Sequence, residues 1–448
     1  MTKKILILLG LCVMVFAAGC GDDGEVNKTE YKATDPVIQT ARVKIAEIKD
    51  AYLDEVRGIV QEWSPKLQVG GLEDEEKEVR QAELKKVMRT VGRKLVDDVK
   101  VVLAAIPQET RNAHSIDYLK LVFVEPIDYS SDQRSGEQSG VSLLEKETMV
   151  YGLSPERCAQ YTDEIVAYFH VGMKKDDAEI FFSALAGLLD AINFQQGLAL
   201  IDQIMKADPD GSFFINTRFS RDSWKSVKSN LLMSLERYNE ANAIYDSMLS
   251  EGEDKQKILK GKEENDAQET EKRIEDRERK DDADKTGEDK RLPRAEITFV
   301  GADGKEKGAI TVLLFEDDAF NAVANFISLA ESGYYDNKEF FAINNIFALT
   351  GSKFDCGVGE PDYSIEAKSK RGVFRGTLTC AKSSPAQIFL MKYRPRLEEQ
   401  RKALVAFGFI VKGIDEIDKL MIGDRISKIE ITDKRKGSVY EPEKEKKN

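Results

Sequence analysis

Histidine is almost absent. The 448 residues include two, His114 and His170, far apart and without neighbouring ligands in a metal pattern. The sequence therefore offers neither a zinc site nor a serine-type triad. Cysteine is sparse too: of five, Cys12 and Cys20 lie at the N-terminus, and Cys158, Cys356 and Cys380 remain. An odd remainder implies no closed disulfide framework, and a Cys356–Cys380 bridge is the one pairing left open. After the first twenty residues no stretch approaches the roughly eighteen apolar residues of a membrane-spanning helix. A formal net charge of −13, without a compact basic patch, argues against nucleic acid as a partner.

The N-terminus carries the one marked apolar run. Lys3 and Lys4 precede Ile5 to Phe16, and Ala17-Ala18-Gly19 stand immediately before Cys20. The run is short for a span. A plain signal peptide or an anchor helix would also begin this way, but small residues directly ahead of a cysteine resemble a bacterial lipoprotein signal (residues 1–19), with Cys20 the lipidated residue. That resemblance implies a lipid-anchored protein of the bacterial cell envelope, facing the periplasm. Gly21 follows the cysteine and Asp22 comes one step later, which leaves the membrane open.

Residues 20–36 are polar and form a tether. A helical region spans 37–126, with Val37, Ala41, Ile45, Ile48, Tyr52, Val56 and Val60 on one helical face, and with Pro65, Gly70 and Gly71 in a turn before a second helix, Glu73 to Ile106. A Ser/Gly-rich loop covers 127–142. In 143–253, Phe194, Gly197, Ile201, Ile204 and Pro209 have the spacing of the second helix of a tetratricopeptide repeat. Tyr238, Ala241, Tyr245 and Met248 repeat it; a generic helical hairpin has the same pattern, and an inserted loop, Asp210 to Ser220, accounts for the long period. Residues 254–294 are mostly charged and hold few large apolar side chains, so they read as a solvated helix or disordered linker. The tail, 434–448, is charged and expected to be disordered.

Between them, 295–433 is β-rich. Ala295–Val300 and Gly308–Phe315 alternate around a Gly301-Ala-Asp-Gly turn and predict a hairpin. A helix follows over Asp318–Ser332, then short strands, with a second helix over Ile414–Leu420.

Asn325-Phe-Ile-Ser-Leu-Ala-Glu-Ser-Gly-Tyr-Tyr-Asp336, Arg375-Gly-Thr-Leu-Thr-Cys-Ala381, Gln387-Ile-Phe-Leu390 and Phe407-Gly-Phe-Ile-Val-Lys-Gly-Ile-Asp-Glu-Ile-Asp418 resemble, in order and spacing, a cyclophilin-type peptidyl-prolyl isomerase. The resemblance implies an eight-stranded antiparallel β-barrel with two helices, on a chain whose N-terminal part is all-α and repeat-like. It also implies proline-containing polypeptides as substrates and chemistry that needs no cofactor; together with the lipoprotein-like signal, the substrates are expected among exported or envelope proteins. By the same resemblance Phe347 and Phe389 form the proline pocket, Ala381 borders the adjacent channel, Gln387 is a catalytic polar contact, and Phe407 lines the groove. The family's catalytic arginine falls at Ala342, which has no side-chain donor, and Leu404 stands where a histidine is usual. Weak isomerase activity is one reading, and a catalytically inactive peptide-binding or assembly lipoprotein the other.

Overall fold

The computed structural model describes residues 35–68, 73–131, 138–170, 178–207, 221–251, 255–288, 290–359, 361–395 and 398–446. The signal segment, Cys20, most of the tether and the inserted loop before Arg221 lie outside the described residues. The chain divides into two compact units, one of residues 1–64 and 88–224, the other of 65–87 and 225–448.

The first unit is helical. Helix α1 (Pro36–Gln68) starts where the Asp35 carboxylate accepts from the backbone N–H groups of Val37 and Ile38, at 2.8 and 3.0 Å. Ile38, Ala41, Ile45 and Tyr52 make its buried stripe. Val37 and Val60, expected on that stripe, are exposed, and Pro65 lies inside the helix rather than in a turn. Helix α2 (Asp74–Ala104) buries Leu95, Val96, Val99 and Leu103.

Short helices α3 (Gln108–Ala113) and α4 (Ser115–Leu119) lead into a π-helical turn, Lys120–Val124. Strands β1 (Asp128–Ser131) and β2 (Gln138–Val141) form a hairpin in the stretch expected to be a loop. Helix α5 (Leu143–Val150) opens on a reciprocal cap between Ser142 and Glu145. Helices α6 (Pro155–His170), α7 (Ala178–Ala191) and α8 (Phe194–Ala207) complete the unit. Its buried polar centre is Glu147 on α5, bound by Lys100, Arg157 and Tyr161.

Helix α9 (Arg221–Ser234) runs across the boundary between the units, and α10 (Tyr238–Ser250) belongs to the second. Helices α8 and α10 begin at Phe194 and Tyr238, the residues that head the two copies of the repeat spacing. The charged stretch is one helix, α11 (Lys255–Ala283), and it is not fully solvated: Ile258, Asn265, Glu275 and Asp282 are buried. Its first half packs on α10, where Asn265 donates to the Tyr238 carbonyl at 3.0 Å. Gly261 lets the backbone approach Tyr245, since a Cβ there would stand 3.0 Å from the ring.

Eight antiparallel strands then form a curled sheet in the order β11-β3-β4-β10-β8-β9-β6-β5. Their ranges are β3 (Arg294–Val300), β4 (Glu306–Leu314), β5 (Ala342–Ile343), β6 (Phe347–Thr350), β8 (Thr377–Ala381), β9 (Ser384–Met391), β10 (Leu404–Lys412) and β11 (Arg425–Asp433). The predicted hairpin is the β3–β4 pair. The curl brings the chain ahead of β5 to β11, where Glu339 bridges Arg425 and the Asn337 N–H donates to the Ile426 carbonyl at 2.8 Å. Helix α12 (Glu316–Glu331) buries Val323, Phe326, Ile327 and Ala330, as its periodicity predicts. The second expected helix is a 3-10 turn, Ile414–Lys419, and a short α13 (Glu398–Ala403) precedes β10.

The end of the chain differs from expectation. Strand β12 (Lys444–Lys446) pairs with β7 (Tyr363–Ile365), and buried Tyr440 donates to Glu316 at 2.9 Å. An aromatic anchor, a short ladder, the Arg435–Asp317 ion pair and the Glu443 N–H donated to Asn321 hold a segment that composition alone marks as disordered.

Candidate functional site

Alternation along each strand divides the barrel's side chains between two cores. The interior core holds Phe299, Phe326, Leu378, Leu390 and Phe407. The other face holds Phe347 and Leu349 from β6, Phe389 and Met391 from β9, Ala381 from β8, and Leu404, Ala406 and Phe409 from β10. Phe347 and Phe389 meet edge to face with ring centroids 5.2 Å apart, a favoured aromatic geometry. The expected pocket phenylalanines and Ala381 therefore share one apolar surface. Gln387 is buried, and alternation from Phe389 puts it on the same face of β9.

Phe407 does not join them. It packs inside the barrel against Phe326, centroids 5.4 Å apart. Alternation along β10 puts Phe407 inside with Val405, since Leu404 and Ala406 face outward; the register shift between Ala406 and Gly408 then turns Phe409 outward. A side chain at Gly408 would meet the Leu313 carbonyl at 2.8 Å, so the residue after Phe407 has to be small.

Ala342 pairs with Leu349 and packs at the edge of the outer face, with only a methyl group to offer. The Thr350 hydroxyl is committed to the Glu339 carbonyl at 2.9 Å. Thr379, opposite Phe389 in register, carries a buried hydroxyl oxygen without a hydrogen-bond partner. Cys356 and Cys380 are both buried, outside any disulfide and in different clusters, so the open pairing is not made. Burial pushes the Cys380 thiol up to about 12, which leaves it protonated and inert. Among the described residues no group of His, Cys, Asp and Glu is arranged to hold a metal.

The face is closed. Phe347, Ala381 and Phe389 are 6%, 4% and 3% exposed. Backbone N–H groups of Lys392 and Tyr393 donate to the Ile346 carbonyl at 2.7 and 3.1 Å and lay that segment beside Phe347. Helix α11 covers the opposite end: Arg279 lies 5.1 Å over the Phe409 ring and donates to Thr377 at 2.7 Å. Arg371 lies 4.1 Å over Phe315 and is held by Glu275, Asp282 and Asp318, at 3.4, 2.9 and 3.2 Å. Glu275 also accepts from the Gly372 N–H at 2.9 Å. Burial alone would lower the Arg371 proton affinity, but the surrounding carboxylates more than reverse it. Sequence reasoning missed this cover, because its contacts are charged and leave no apolar periodicity to find.

A family model described as cyclophilin type peptidyl-prolyl cis-trans isomerase/CLD matches residues 299–436. A peptidyl-prolyl cis-trans isomerase of Helicobacter pylori is 31% identical over 134 residues, covering 28% of this chain and 80% of that protein. The chain belongs to the cyclophilin-type isomerase family. Peptidyl-prolyl cis-trans isomerase B of Escherichia coli is 28% identical over 128 residues, covering 25% of this chain and 78% of its own. Among solved structures, a cyclophilin-type isomerase of Cryptosporidium parvum aligns with a TM-score of 0.27 and 19% identity, covering 32% of this chain and 99% of that one. The cyclophilin-type region thus coincides with the curled sheet and leaves the N-terminal helices outside the match.

Proposed function

We propose that this cyclophilin-type protein is a lipid-anchored isomerase of the bacterial envelope, facing the periplasm and acting weakly on X-Pro bonds of exported or envelope polypeptides. The observation that carries the reading is the apolar face of Phe347, Phe389 and Ala381 beside Ala342. Rotation about an X-Pro bond is opposed by amide resonance, with a barrier of about 18 to 20 kcal/mol. An apolar seat for the proline ring and donors aimed at the twisted amide lower that barrier. The apolar side chains of such a seat are present, closed in this conformation by the segment at Lys392 and Tyr393, so peptide entry requires that segment to shift; the arginine position has no donor. Loss of one charge-assisted hydrogen bond costs about 1.5 to 3 kcal/mol, so turnover falls on the order of ten- to a few-hundred-fold.

The lack of a donor at Ala342 also favours a second reading, a barrel that binds proline peptides without turnover. A proline-isomerisation assay on the full chain and on Ala342→Arg separates the two. Turnover in the parent supports the enzyme; binding without turnover, with turnover gained in Ala342→Arg, supports the binding protein. If neither turns over nor binds, the peptide-groove reading fails. The repeat-like helices are a further surface for an envelope partner, testable by pull-down with residues 143–253.

A further inference from the structure

Beside Ala381 the barrel opens into a cleft of about 630 Å³. Its apolar wall includes Leu404, the cross-strand partner of Ala381, and its rim includes Lys382, the next residue along. The cleft therefore continues the apolar face. Six cations, Lys368, Arg371, Lys382, Arg394, Arg401 and Lys402, line it with two carboxylates, Glu271 and Glu398, while from outside the lining Glu366 pairs with Lys368 and Glu275, Asp282 and Asp318 pair with Arg371. Both carboxylates are already engaged, Glu271 with Arg394 and Glu398 with Lys402. The cations come from three separate stretches, which is why no basic patch shows in a sequence of net charge −13.

Two guanidinium nitrogens in this lining, Nη2 of Arg371 and Nε of Arg394, are buried without hydrogen-bond partners. Unmade hydrogen bonds of buried charged groups are costly, and an added acceptor relieves them. Glu271 shows the contact on offer, since a carboxylate from α11 already binds Arg394.

We propose that this cleft binds the acidic side chain of a peptide lying on the adjacent apolar face, so that the domain selects proline sites flanked by Asp or Glu. The assignment rests on the peptide-groove reading above. Burial, and then the like charge of Arg394, push the Arg401 guanidinium below its ordinary value against the opposing pull of Glu271 and Glu398.

The test uses the full chain and three fluorescent proline peptides that differ only in carrying Glu, Gln or Lys beside the Ala-Pro pair. Affinity is read by anisotropy at low and high salt, with inorganic phosphate as competitor. The expected order is Glu, then Gln, then Lys, with roughly five- to tenfold between the extremes, narrowing in salt. The double variant Lys382→Gln/Lys402→Gln, altered at two exposed positions, should lose the preference while binding the Gln peptide as before. Equal affinities for all three would overturn the acidic-peptide assignment and leave the groove reading intact. If none binds, the groove reading falls and the assignment with it. Phosphate stabilisation of the parent that the double variant loses would then mark an anion site serving some other ligand.

Discussion

Phe347 and Phe407 are both buried phenylalanines of the barrel, but they lie on opposite sides of its sheet. Phe407→Ala should cost about 3 to 5 kcal/mol, as a large-to-small change in a packed interior does. The readout is a lower urea midpoint with unchanged peptide affinity in the folded protein; altered affinity at unchanged stability would put Phe407 back in the groove. The motif that identifies Phe347, Ala381 and Phe389 gives their shared face correctly, because β6, β8 and β9 keep their phase through those residues. Phe407 falls inside by the same alternation that turns Leu404 and Ala406 outward; what was illegible is Phe409, which one extra residue in β10 swings to the outer face and no residue type announces.

Glu147 makes a pH prediction at the same scale. Burial pushes its carboxyl up, but Arg157, Tyr161 and Lys100 outweigh burial and hold it below its ordinary value of 4.5. A carboxylate with a depressed folded value stabilises above that ordinary value, and loses the effect as pH falls through the folded one. The stability gap between the parent and Glu147→Gln should therefore be full above about pH 4.5 and shrink below it. A gap constant across acid pH would refute this account of Glu147.

At the scale of elements, α11 is the informative case. A stretch with so little apolar surface satisfies every sequence criterion for a solvated linker. It is nevertheless ordered on the barrel, because Glu275 and Asp282 have one buried guanidinium to share. Removing Arg371 would take one of two cations from each carboxylate, leaving Glu275 to Arg279 and Asp282 to Lys285, so the cost should lie toward the lower end of the about 3 to 5 kcal/mol typical of breaking a buried ion pair. Arg371→Met should accordingly destabilise the second unit and speed amide exchange through Lys255–Ala283. Slow exchange there in the variant would mean that α11 is held by something else. Helix α12 and the β3–β4 hairpin, by contrast, were legible because apolar spacing is what buries them.

At the scale of the whole molecule, both ends of the chain yield predictions. Ending the protein at Asp433 removes Tyr440, the ion pair from Arg435 to Asp317 and the β12 ladder. The melting temperature of the second unit should fall by roughly 2 to 4 °C for each kcal/mol lost; an unchanged melt would mean that the tail is only resting there. At the other end, Cys20→Ser should shift the protein from the membrane to the soluble fraction of the envelope. Continued sedimentation with membranes would remove lipidation as the anchor.

The cover over the outer face also decides where the polypeptide can be divided. Composition puts a domain boundary near Pro293, but a barrel cut there would take Arg279 from Phe409 and the carboxylates of Glu275 and Asp282 from Arg371, loosening the cover of the outer apolar face. Contiguous apolar surface of that kind drives self-association. A soluble recombinant fragment must therefore begin upstream of Lys255, carrying its charged strap with it.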